Sequence, residues 1–180
     1  MESWKKTVLE FTESNDWMSA IEFSITFIND HPENVDGYIN IIYLLHHILA
    51  EEDYDDRTQE EMMKLLPLCF QHSLAKFINN ADYCFFVGKL LWASEWFFGI
   101  NEGFNKYDQT LAYKLEKLAF QLEPKNELFL WSVMVTQDSP EAKILEGIIL
   151  NGTNGYLNWL VSKGFAGKKL IEIYFPNTEI

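Results

Sequence analysis

Helix-stop signals recur at a near-constant interval along this chain, and that recurrence constrains the fold more than any other feature. Breaks at Pro32, at Asn79-Asn80 and at Pro124 are each followed by a new apolar helical pattern. These helix starts lie about 46 positions apart, twice. Ala20 precedes Pro32 by twelve positions, and Ala112 precedes Pro124 by the same twelve. A helix-turn-helix unit of this length cannot bury its apolar face alone, so neighbouring units stack and share a core. The expected fold is all-α, an array of about four helical hairpins with a C-terminal cap. It is expected to form one compact domain over residues 1–180.

The periodicity predicts the individual helices. Trp4, Val8 and Phe11 mark one face of the first, which ends near Ser14-Asn15-Asp16. The second carries Trp17, Ala20, Ile21, Ser24, Phe27 and Ile28 and stops at His31-Pro32, because proline removes a donor and clashes with the preceding turn. A third runs from about Val35 to Ala50 and a fourth from about Thr58 to Ile78, with Pro67 predicting a kink or restart inside it. Thr58 with Glu61 three positions later reads as a capping box. A fifth, aromatic-rich helix spans about Ala81 to Phe98, and Gly99 to Tyr107 reads as a loop. Later helices are expected over Asp108 to Leu122, over Glu127 to Val135, after Ser139-Pro140, and over Tyr156 to Lys163. From Lys168 to Phe175 the residues Leu170, Ile171, Ile173 and Phe175 show weak period-two alternation, which predicts a short extended segment.

Charge narrows the class of function. The chain carries 27 acidic and 14 basic side chains, a formal net charge of -13, and its pI is about 4.6. Such a field repels phosphate backbones and anionic membrane surfaces, so neither nucleic acid nor membrane is an expected partner. Lys89 and Glu95 interrupt the apolar run from Tyr83 to Ile100, which therefore reads as a buried helix rather than a membrane span. Met1 to Lys6 is followed by no apolar stretch of signal-peptide type. Cys69 and Cys84 have no metal or redox spacing and read as buried free thiols of a reducing compartment. The expected location is the cytoplasm.

The residues around the second and third breaks resemble the tetratricopeptide repeat. Phe85, Val87, Gly88 and Leu91 are similar to its first helix, and Ala112, Ala119 and Pro124 to its second. Small residues let the paired helices approach closely, and the proline ends the second. About twelve extra residues separate Gly88 from Ala112. Trp4, Phe11, Ala20 and Pro32 are similar to a further copy, with Phe27 where a small residue is usual. The copy between Val35 and Asn80 departs most and carries an acidic insertion. The resemblance implies a helical-hairpin fold, and repeats of this kind serve too many functions to imply one.

No catalytic pattern accompanies the scaffold. There is no nucleophile elbow, phosphate-binding glycine loop or dinucleotide fingerprint, so the chain is not expected to be an enzyme or to hold a cofactor. His46 and His47 are adjacent, and helical neighbours point about 100° apart, so they do not make a metal site together. Asp53-Tyr54-Asp55-Asp56 resembles the start of a calcium loop, but the sixth position is Thr58 and the twelfth Lys64, where glycine and glutamate are needed. The cluster Tyr83, Phe85, Phe86, Trp92, Trp96, Phe97 and Phe98 reads mainly as core, with a share available to line a groove.

The candidate binding residues are acidic. Glu51, Glu52, Asp53, Asp55, Asp56, Glu60 and Glu61 place seven carboxylates within eleven residues, countered only by Arg57. Helix capping accounts for the last two and leaves five that repel one another. Such a stretch is either a solvated loop or a docking site for a basic protein. Small acidic single-domain helical proteins of this type resemble the immunity proteins of bacterial contact-dependent growth inhibition (polymorphic toxin) systems. That resemblance implies binding and neutralising a cationic, nuclease-type toxin domain. The alternative is a peptide-binding adaptor or secretion chaperone that uses a groove of the repeats.

Overall fold

The computed structural model describes residues 2–100 and 106–178. Within them the chain forms helices α1 (Ser3–Glu13), α2 (Trp17–Asp30), α3 (Val35–Glu51), α4 (Asp56–Phe77), α5 (Ala81–Ser94), α6 (Leu111–Leu122), α7 (Glu127–Thr136), α8 (Glu141–Leu150), α9 (Tyr156–Ser162) and α10 (Phe165–Tyr174). Short 3-10 turns occupy Glu95–Phe98 and Tyr107–Gln109. No strand occurs among the described residues.

The recurrence seen in the sequence is a recurrence of turn chemistry. α3, α5 and α7 begin after Asn34, Asn80 and Asn126, which are spaced by 46. Each asparagine side chain accepts from a backbone N–H of the first helical turn: Asn34 from Gly37 and Asn80 from Tyr83, both at 2.9 Å, and Asn126 from Leu128 and Phe129 at 3.1 and 3.3 Å. Each also donates its own backbone N–H three residues back, to His31, Phe77 and Glu123. Capping by asparagine satisfies helix-start donors that would otherwise lack partners. The three starts thus share one local solution, whatever each helix packs against.

The chain folds into two compact units. One comprises Met1–Ala75 with Leu160–Pro176, and the other Lys76–Trp159 with the tail from Asn177. In the first unit α2 packs on α1 and α3, and α10 packs on α3 and α1. Every residue of α3 from Gly37 to Ile48 is buried, which matches its all-round apolar sequence. A polar ring fastens the start of α10 to α3. Asp36 takes Lys5 Nζ at 2.5 Å and Lys163 Nζ at 3.0 Å. The Asn40 amide donates to the Lys163 carbonyl at 2.8 Å, and its oxygen accepts from Ala166 N–H at 3.3 Å.

In the second unit α5, α6, α7 and α8 pack in sequence. Gly88 lies where α5 meets α6, and an added Cβ there would meet the Ala112 carbonyl oxygen at 3.1 Å and Glu116 Cγ at 3.0 Å. The close approach expected at Gly88 is therefore present. Beside it Lys89 Nζ pairs with Glu116 Oε1 at 2.9 Å, both side chains buried. Phe85, Phe86, Tyr83 and Phe98 are fully buried, whereas Trp92 and Trp96 are 37 % and 58 % exposed. The aromatic cluster is mainly core, as its number and distribution predicted.

Several expectations are corrected. The C-terminal segment is not extended: Phe165–Tyr174 is helix α10. The period-two reading placed Ile173 inward with Ile171 and Phe175, but Ile173 is 58 % exposed while Phe165, Ala166, Leu170, Ile171 and Phe175 are buried, a helical spacing. α4 begins two residues earlier than expected, and Asp55 caps it instead of Thr58. The Asp55 carboxylate accepts from the Thr58 N–H at 3.1 Å and from the Thr58 hydroxyl at 2.8 Å. Of the kink or restart expected at Pro67, the restart is excluded, because α4 is continuous through it. At the start of α8, Pro140 has helical dihedrals and the Ser139 hydroxyl bonds the Glu141 carboxylate.

Candidate functional site

The seven acidic residues run from the end of α3 across the connection at 52–55 into the first turns of α4. Glu52 is half-buried and the other six are exposed. Several have local partners that lower their availability. Asp55 is the α4 cap, and hydrogen bonds from Thr58 hold its carboxyl below the usual range. Glu60 pairs with Lys64 at 2.7 Å, which likewise lowers its pKa, and Glu61 pairs with Arg57 at 3.1 Å. These are exposed i,i+4 pairs, which contribute little and yield readily to a competing charge. Asp53 and Asp56 present exposed carboxylates between them. The acidic excess is concentrated in this unit, which holds 16 of the 27 acidic side chains and 7 of the 14 basic ones.

Below the acidic connection lies a cleft of about 290 Å³. The α1–α2 turn supplies Asn15 and Trp17, the end of α3 supplies His47 and Glu52, and α10 supplies Phe165, Lys168, Lys169 and Glu172. The turn is sharp because Asn15 takes a left-handed conformation, φ 56°, which asparagine tolerates better than most residues. Asp16 then caps α2 by accepting from Ser19 N–H. His47 is held by aromatic contacts, with ring centroids 4.4 Å from Trp17 and 5.7 Å from Phe165.

The polar groups of this cleft are unevenly matched. Lys168 reaches Glu13 at 3.3 Å, and Lys169 reaches Glu172 at 3.1 Å and Glu51 at 3.8 Å. Glu51 lies 3.1 Å from His47 Nδ1 and Glu52 3.4 Å from Nε2. Neither approach has hydrogen-bond geometry, so both ring nitrogens are buried without a hydrogen-bond partner, as is Trp17 Nε1. At the rim, burial first and then Glu52 and Asp16 push the Tyr54 hydroxyl pKa up, a sign of a negative local field.

His46 and His47 are both buried, with 8 % and 5 % exposure. Burial pulls His46 down to about 4, with Glu51 opposing and His47 adding to the shift. Unfolded histidine binds a proton near pH 6.5, while the folded His46 stays neutral until about pH 4. Its contribution is therefore intact above about pH 6.5 and is lost as pH falls through this window. Across the whole window the loss is about 3 kcal/mol. Urea midpoints measured at about pH 7, 6 and 5 are expected to fall in the parent and to fall less steeply in His46→Gln.

Among the described residues, no group of three or more His, Cys, Asp or Glu is placed to hold a metal ion. No helix there is long and apolar enough to cross a membrane. Burial pushes the thiols of Cys69 and Cys84 up to about 11 and about 12, so both are poor nucleophiles at neutral pH.

Sequence reasoning found the acidic stretch and missed the cleft beneath it. The His47-to-Glu51 spacing of one helical turn was legible. The approach of Phe165 and Lys169, more than a hundred positions away, was not, and the extended reading of that segment concealed it. No known protein family, curated protein or solved structure matches this chain.

Proposed function

We propose that the protein is an acidic protein-binding module, without catalytic activity of its own, and that it acts as an immunity protein against a cationic, nuclease-type toxin domain. The observation that carries this reading is the concentration of seven carboxylates at the α3–α4 connection, in a unit that holds 16 acidic and 7 basic side chains. Nuclease surfaces are basic because they hold phosphate. An acidic inhibitor is complementary to them and associates rapidly under electrostatic steering. The tetratricopeptide-like pairing of helices is, in this reading, the scaffold of the fold. Its support is the close approach at Gly88 and the repeated asparagine caps.

The test is association kinetics with the toxin domain encoded beside this protein's reading frame. Asp53→Lys combined with Asp56→Lys is expected to slow association by ~10-fold or more at low salt. Asp55 is left intact, because losing a helix cap costs about 1 kcal/mol and would confound the result. An unchanged rate removes this stretch from the interface. A second reading rests on exposed Trp92 and Trp96, which suit an adaptor gripping an extended peptide. Adaptor binding would depend weakly on salt, and immunity binding steeply.

A further inference from the structure

Buried polar atoms in folded proteins nearly always have hydrogen-bond partners, and exceptions call for an explanation. In the cleft between the α1–α2 turn and α10, three such atoms lack one: Trp17 Nε1 and both nitrogens of His47, on side chains only 7 % and 5 % exposed. The charges there are unbalanced too. Lys168 and Lys169 are matched by Glu13 and Glu172, while no Lys or Arg of the described residues pairs with Glu52. Glu13, Glu51, Glu52 and Glu172 thus outnumber the two lysines, and Glu52 lies beside an imidazole whose nitrogens have no hydrogen-bond partner.

We propose that this cleft is an anchor pocket for a single arginine side chain of a basic protein partner, an inference that rests on the docking function above and adds a specific contact to it. A guanidinium offers several donors in a plane, which suits the Glu52 carboxylate beside the planar His47 ring. It also stacks on aromatic faces, which a lysine ammonium does less well. Trp17 lines the cleft against His47, so its indole N–H reports an occupant. A volume of about 290 Å³ lies at the small end of ligand pockets and suits one side chain better than a cofactor. Of the two carboxylates now resting on the His47 ring, Glu51 is 54 % exposed and free to turn outward, while Glu52, 33 % exposed, stays to receive the guanidinium.

The experiment uses N-acetyl-arginine-N-methylamide as the probe, titrated into the 15N-labelled full chain. The expected result is saturable movement of the Trp17 indole N–H resonance, with no response to the neutral citrulline analogue. Glu52→Gln is expected to weaken binding about 10-fold or more, the loss of one charge-assisted contact. Asp53→Lys with Asp56→Lys should leave the Trp17 response in place. Movement spread over residues 51–61 with Trp17 silent would overturn the pocket, and so would equal binding of the citrulline analogue. Decalysine, titrated in parallel at low salt, separates the two readings. If it binds and Asp53→Lys with Asp56→Lys abolishes that binding while Trp17 ignores arginine, the acidic docking surface stands and the pocket falls. If neither probe binds, both fall.

Discussion

Glu116→Ala is expected to destabilise the protein by about 3–5 kcal/mol, the usual loss on removing one partner of a buried ion pair. Glu116 is fully buried on α6, 2.9 Å from Lys89 Nζ, and its second oxygen accepts from the Thr136 hydroxyl at 2.6 Å. The Lys89 side chain is 3 % exposed, and its ammonium lies 5.0 Å from the centre of the Trp131 ring. Burial already pulls the Lys89 pKa down, with Glu116 acting against that pull. Deleting the carboxylate removes the opposing contribution. The folded variant then holds its lysine proton less firmly than the unfolded chain does, so its stability rises with pH toward the ordinary lysine range, about 10.4.

Urea unfolding followed by far-UV circular dichroism measures both effects. The double variant Lys89→Met with Glu116→Leu is expected to recover most of the loss, because well-packed apolar pairs often replace a buried ion pair without penalty. A Glu116→Ala protein that unfolds at the parental urea concentration would show that the pair contributes nothing to this packing.

The second large effect is expected from the smallest substitution. Gly167→Ala should destabilise by about 3 kcal/mol, at the upper end of ordinary overpacking. Gly167 sits in the first turn of α10, where alanine alone would favour the helix by about 1 kcal/mol. Space decides otherwise, since an added Cβ would lie 1.8 Å from the Leu160 carbonyl oxygen and 2.7 Å from its carbon. Both are backbone atoms, so α10 must shift. That shift moves Phe165 away from Trp17 and His47, and tryptophan fluorescence should report it alongside the lower urea midpoint. A variant as stable as the parent would mean that α10 does not pack through this glycine.

Local chemistry explains how much of the fold was legible. The breaks at Pro32, Asn79-Asn80 and Pro124 announce the next helices because the cap that follows each, at Asn34, Asn80 and Asn126, acts within one turn and needs no distant partner. Pro32 and Pro124 end helices for an equally local reason. α10 was misread because its sequence carries two competing periods. Only burial against α3 and α1 selects the helical one and turns Ile173 outward. Asp55 displaced Thr58 as the α4 cap because both residue types can cap and the sequence does not rank them.

The acidic stretch was equally legible, since charge density is a property of neighbours in the chain. Its division into engaged and available carboxylates was not. Asp55 is committed to Thr58, while Glu51 and Glu52 rest against His47, and those roles depend on where helices end and what covers them. The sequence by itself determined an all-helical chain, the positions of its breaks and the sign of its surface, because each follows from contacts within a few residues. Only the tertiary structure decided that Lys89 meets Glu116, that α10 closes onto α3, and that His47 lies under the acidic connection with its nitrogens unsatisfied. Those pairings join residues far apart in the chain, and packing shape, which no local pattern encodes, selects them.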